Sequence, residues 1–191
     1  MNYKILLAAI ATIIGLLGYI PYIYDTIKGK TRPHVFSWLI WTFLSGIAFL
    51  AQVSRGAGTG AWATGVTSLA CLVITLISLK YGEKDIKLFD KLSLVGAGIA
   101  VLIWIITTSP LFTIIIITTI DFCGFLPSFR KAFRKPFEET LSQYVFASIK
   151  WVLSLVALES ITLTTALFPS ALSLFNFIFV IMLVFRRTAN S

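Results

Sequence analysis

Charge is what this sequence has least of. Only 13% of its residues are Asp, Glu, Lys or Arg, and just eight of them are acidic. Soluble domains run near a quarter charged, so a water-facing surface cannot be assembled from this chain. Histidine occurs once, as His34, and cysteine twice, as Cys71 and Cys123. Two cysteines, both inside apolar stretches, exclude a disulfide framework and make no metal site. No nucleophile stands in a pattern with a base, so no enzyme activity, metal or cofactor is expected. The phosphate-loop pattern also fails. Gly29-Lys30-Thr31 ends like one, but Tyr24 stands where its first glycine belongs.

What the chain has instead is apolar length. Hydrophobic residues make up 58% of it and mean hydropathy is +0.92. A membrane-spanning helix needs about 20 mostly apolar residues, and seven such stretches can be read: 4–24, 35–54, 59–79, 91–108, 110–129, 139–158 and 161–185. Pro110 suits the first turn of a new helix, where its missing N–H costs nothing, and so divides the fourth stretch from the fifth. Lys4 followed by an apolar run is similar to a signal peptide. The small residues Ala8 and Ala11 come too early for a cleavage site, so the run is read as the first helix.

The net charge of +8 would suit nucleic acid, but its placement points to a bilayer. If the N-terminus is outside, 13 of the 16 basic residues fall on the inner side. They are Lys28, Lys30, Arg32, Lys80, Lys84, Lys87, Lys91, Arg130, Lys131, Arg134, Lys135, Arg186 and Arg187. Lys4 and Arg55 lie outside, and Lys150 falls within a span. This is the positive-inside pattern. It predicts a multi-pass protein of the cell (inner) membrane with the C-terminus in the cytoplasm.

The two halves repeat each other. Gly18-Tyr-Ile-Pro21 and Gly124-Phe-Leu-Pro127 align glycine and proline at an offset of 106, each before a basic loop. The reading is an all-α integral membrane fold with a 3+1+3 parallel repeat: a three-helix bundle in 1–80, a linker helix in 81–109 and a second bundle in 110–191. Pro21 and Pro127 are the candidate hinges. This plan, with its Gly-x-x-Pro step, resembles the SWEET and PQ-loop transporter superfamily, as a divergent bacterial member. The Pro-Gln of PQ-loop proteins reads Pro21-Tyr22 and Pro127-Ser128 here. Trp38-Leu-Ile-Trp41 is also similar to the paired tryptophans of Pnu-type vitamin-precursor transporters.

Polar residues within spans mark candidate sites. Thr64, Ser68, Cys71, Thr75 and Ser78 form one stripe on the third helix, and Pro169, Ser173 and Asn176 a shorter one on the seventh. Cys71 corresponds to Asn176 at an offset of 105. In SWEET proteins both positions are sugar-facing asparagines, so the resemblance implies a substrate role for Asn176. Small residues of this kind also serve simply to let helices approach. Asp121 lies nine residues from the inner end of its predicted helix and Lys150 eleven, about 14–16 Å deep at a rise of ~1.5 Å per residue. They are read either as a structural ion pair or as a substrate or proton-coupling site. The first-half counterparts are Gly15 and Ser45, with Trp38 and Trp41 as stacking surfaces.

The expectation is a small-solute transporter, for a sugar-like or a vitamin- or nucleoside-like substrate, working by alternating access. Its substrate-binding residues would be Asn176, Asp121, Lys150, Ser45, Trp38, Trp41, Ser173 and Cys71. The expected partners are that solute and the lipid bilayer, with no nucleic acid and a possible homo-oligomer. The alternative is a non-transporting sensor or scaffold of the same fold, which the absent glutamines favour.

Overall fold

The computed structural model describes residues 3–106 and 109–189. Seven α-helices follow one another: α1 (Tyr3–Ile27), α2 (Val35–Ser54), α3 (Trp62–Tyr81), α4 (Leu88–Ile106), α5 (Pro110–Arg134), α6 (Leu141–Val156) and α7 (Leu163–Thr188). Single 3-10 turns precede α3 at Gly58–Ala61 and α6 at Pro136–Glu138. No strand occurs among the described residues. Five segments are long and apolar enough to cross a membrane: α1, α2, the Gly58–Tyr81 segment, α5 and α7. Helix α6, at 16 residues, is shorter than the predicted 139–158. The predicted end of the fourth helix, at 107–108, lies outside the described residues.

The boundaries have local causes. Helix α5 starts where Ser109 accepts a hydrogen bond from the N–H of Phe112 and Pro110 fills the first turn. Helix α7 starts with a capping box in which Thr162 and Thr165 bond reciprocally. His34 stands at the N-cap of α2, and its side chain makes no capping bond there. The turn after α2 needs left-handed backbone at Gly56 and Gly58, with φ of 70° and 58°.

Burial is inverted relative to a water-soluble protein. Large apolar side chains cover the outside, such as Ile13, Leu17 and Ile20 on α1, Leu69 and Leu76 on α3, and Phe177 and Ile181 on α7. The interior holds Ser45, Gln52, Thr64, Asp121, Gln143, Lys150 and Asn176, all buried. Apolar surface this extensive is stable only against lipid. The chain is built to be membrane-embedded.

Neighbour relations make a ring. Helix α3 packs against both α1 and α2, and α7 against both α5 and α6. The ring closes where α1 meets α6 and α2 meets α5. Helix α4 stands outside it, against α5 and α2.

Both ends of the ring are tied shut. At one end, rich in basic residues, Arg32 N–H donates to the Glu138 carbonyl, Glu83 N–H to the Pro33 carbonyl and Arg187 to the Glu139 carbonyl. At the far end Lys4 Nζ donates to the Leu158 carbonyl over 2.7 Å and Ser154 Oγ to the Gly60 carbonyl over 2.9 Å. Gly60 permits that approach, because a Cβ there would stand 2.9 Å from the Leu158 Cα.

Candidate functional site

A small cavity of about 40 Å³ lies inside the ring, with fifteen lining residues drawn from all six of its helices. Each of them is buried. A water needs roughly 10–15 Å³ of such space, so this volume holds at most a few. Seven of the eight residues predicted from the sequence line it: Trp38, Trp41, Ser45, Cys71, Asp121, Lys150 and Asn176.

Ser173 does not. Leu172 and Asn176, four residues apart on α7, face the cavity, and Ser173 is turned about 100° from Leu172 toward α6. There Ser173 Oγ donates to the Ser148 carbonyl and Ser148 Oγ to the Ser173 carbonyl, at 3.3 and 3.1 Å. The third-helix stripe divides in the same way. Cys71 lines the cavity, whereas Ser68 Oγ donates to the Thr42 carbonyl and so ties α3 to α2.

Lys150 reaches the cavity across α1. Gly15 makes this possible, because a Cβ there would stand 2.6 Å from the Lys150 Cδ. Lys150 Nζ donates to Thr67 Oγ1 at 2.8 Å and to Tyr19 Oη at 3.2 Å, and lies 4.2 Å from the centroid of the Trp151 ring. All three partners are uncharged. Asp121, 1% exposed, leaves Oδ2 without a hydrogen-bond partner. No ion pair joins it to Lys150. The pairing considered from the sequence therefore does not form, although both side chains line the same cavity as Cys71. Helix α5 also runs to Arg134, five residues beyond its predicted end. That puts Asp121 about 20 Å from the basic end, not 14 Å.

Two further cavity groups lack partners, Trp41 Nε1 and Gln143 Oε1. Asn176 Nδ2 donates to the Leu172 carbonyl at 2.7 Å. The aromatic wall is continuous, with Trp38 5.1 Å from Trp41 and Trp41 4.8 Å from Phe125 between ring centroids. Thr67, Tyr19, Gln143 and Trp151 were not selected from the sequence as site residues. Thr67 was findable, since it stands one helical turn before Cys71.

Pro21 and Pro127 both lie inside unbroken helices, α1 and α5. One turn beyond Pro21 toward the cavity is Gly18, where a Cβ would meet Gln143 Oε1 at 2.7 Å. In the other half Gly124 lies against Ile40 and Trp41. The two Gly-x-x-Pro steps thus both bring a helix close to the opposite half.

Two charge clusters hold the basic end. Lys131 Nζ contacts Glu139 Oε1 at 2.7 Å and donates to the carbonyls of Arg32 and Glu138 at 2.6 and 2.8 Å. Glu139 Oε2 accepts from Tyr144 Oη at 2.9 Å. Tyr144 in turn lines the cavity and stacks on Phe179. In the loop after α3, Glu83 accepts from the N–H groups of Lys84 and Asp85 and pairs with Lys135 at 3.1 Å. Burial raises the Glu83 carboxyl, but the Asp85 and Lys84 N–H groups and the Lys135 ammonium outweigh it and hold it at about 2.

A depressed carboxyl stabilises the fold above its unfolded value, near 4.3, and loses that contribution as pH falls toward 2. Glu83→Gln is therefore expected to lower stability at pH 7 by on the order of 1–2 kcal/mol, discounted for the exposed Lys135. The gap between variant and wild type is expected to narrow steadily from pH 5 to pH 2 in thermal unfolding. A gap that stays constant over that range would place the effect elsewhere.

No protein-family model, no curated protein and no solved structure matches the chain.

Proposed function

We propose that the chain is a small-solute transporter that works by alternating access around the central cavity. The observation that carries this reading is the state of Lys150 and Asp121. Two ionisable side chains are buried beside the same space without being paired to each other. A buried charge without a countercharge is costly, and a chain that needed only stability would carry apolar residues there. Charges kept inside a membrane fold mark substrate or ion pathways.

The 3+1+3 parallel repeat belongs to the same proposal. Exchanging α1 with α5, α2 with α6 and α3 with α7 turns each helix contact of the ring into another contact of the ring. Two such halves could rock about the cavity, with Pro21 and Pro127 as hinges and the ties at the two ends as alternating gates. In this reading the present form is occluded. The resemblance to SWEET and PQ-loop transporters agrees with the arrangement.

Purified protein in liposomes tests the function through counterflow of radiolabelled sugars, nucleosides and amino acids. Saturable, protein-dependent exchange of one class is expected, and no exchange of any class would overturn the reading. The orientation is proposed from charge, with the basic end in the cytoplasm of a bacterial inner membrane. A reporter fused after Ser191 is then cytoplasmic and one inserted at Gly58 external. The same side for both would overturn it.

A further inference from the structure

The separation of the two charges also bears on what the cavity would hold. Resting on the transport reading, we infer that the substrate is a small zwitterion carrying a carboxylate and an ammonium, an amino-acid- or betaine-like solute. Lys150 has three N–H donors and uses two, on Thr67 and Tyr19. The third is left for an anion, and the Tyr19 hydroxyl can donate to the same carboxylate, whereas the Thr67 hydroxyl donates to the Ala63 carbonyl. Across the cavity Asp121 Oδ2 is an acceptor with no donor. The Trp41 and Phe125 rings line the same cavity, and aromatic faces attract an ammonium, methylated or not.

A neutral sugar offers no countercharge to either ionisable group. A simple cation or anion would satisfy one and strand the other. A zwitterion satisfies both at once and brings no net charge into the membrane interior. Trp41 Nε1 and Gln143 Oε1 add one unpartnered donor and one unpartnered acceptor to the cavity wall. With about 40 Å³ available in the closed form, such a solute enters only when one end opens and the walls part.

The test is ligand-induced thermal stabilisation of the purified full chain, with counterflow measured in parallel. The probes are L-alanine, glycine betaine, propionate, tetramethylammonium and glucose. One or both zwitterions are expected to raise the unfolding midpoint saturably, with no shift from propionate, tetramethylammonium or glucose. Lys150→Gln and Asp121→Asn, each near in shape to the native residue, are expected to weaken zwitterion affinity by about ten- to a hundredfold, the loss of one charge-assisted bond. Unliganded midpoints and gel-filtration profiles show whether each variant is folded. If a variant is not, competition by propionate and tetramethylammonium against the bound zwitterion in the wild type replaces it. Each alone should compete at least tenfold more weakly than the zwitterion. Glucose binding or exchange without any zwitterion response would overturn this inference and leave the transport reading standing. Zwitterion binding without exchange would support the inference and overturn transport. Neither binding nor exchange would overturn both.

Discussion

Lys131→Met is expected to cost about 3–5 kcal/mol of stability, the usual penalty for stranding one partner of a buried ion pair. Lys131 and Glu139 have side chains only 3% and 1% exposed, so solvent cannot compensate Glu139 when the ammonium is gone. The Arg32 carbonyl loses this donor in the same step, and the Glu138 carbonyl keeps only the Arg32 N–H. Glu139 would retain only the Tyr144 hydroxyl. The double change Lys131→Met with Glu139→Leu is expected to recover part of the loss, because it removes both charges together. Thermal unfolding of the four proteins in one detergent measures the coupling. Singles within about 0.5 kcal/mol of wild type would show that the pair is not a structural tie.

The opposite pattern is expected at the cavity. Lys150→Met and Asp121→Asn each remove a buried ionisable group whose partners are neutral or absent, so neither variant strands a countercharge. Stability is expected to stay within about 1 kcal/mol of wild type or to rise, because function commonly maintains strain that stability alone would remove. Counterflow, by contrast, is expected to fall to background in both. A pair of singles that each lose about 3–5 kcal/mol, with recovery in the double, would instead mark a structural ion pair. The two clusters therefore separate structural charges from functional ones by the sign of a stability change.

Much of this arrangement was legible in the sequence. The cost of burying polar groups within spans marked Asp121, Lys150 and Asn176 as site candidates. What period cannot give is which neighbour a face meets. Ser173 lies only three positions from Asn176, yet it bonds Ser148 on α6 instead of lining the cavity. Matched depth suggested that Asp121 and Lys150 would pair, but α5 runs five residues further than predicted, and depth also leaves rotation about the ring free. Gly15 was noted only as the counterpart of Asp121. Its role becomes visible once Lys150 is seen lying across it. The basic loops were read as a charge pattern, and the sequence carried no sign that Lys131 and Glu139 would be buried together. That contact forms where the last turn of α5 meets the loop after α1 and the loop before α6, which no local pattern encodes.

The central claim is that one enclosed cavity becomes accessible in turn from either side of the membrane, and Cys71 reports on it directly. Its thiol lines the cavity and is 2% exposed in this closed form. With Cys123→Ser as background, the protein is reconstituted in one orientation and treated with a charged, membrane-impermeant thiosulfonate from one side or the other. The account predicts labelling of Cys71 from both sides, slowed by a saturating cavity ligand. Labelling from one side only, or from neither, would contradict it.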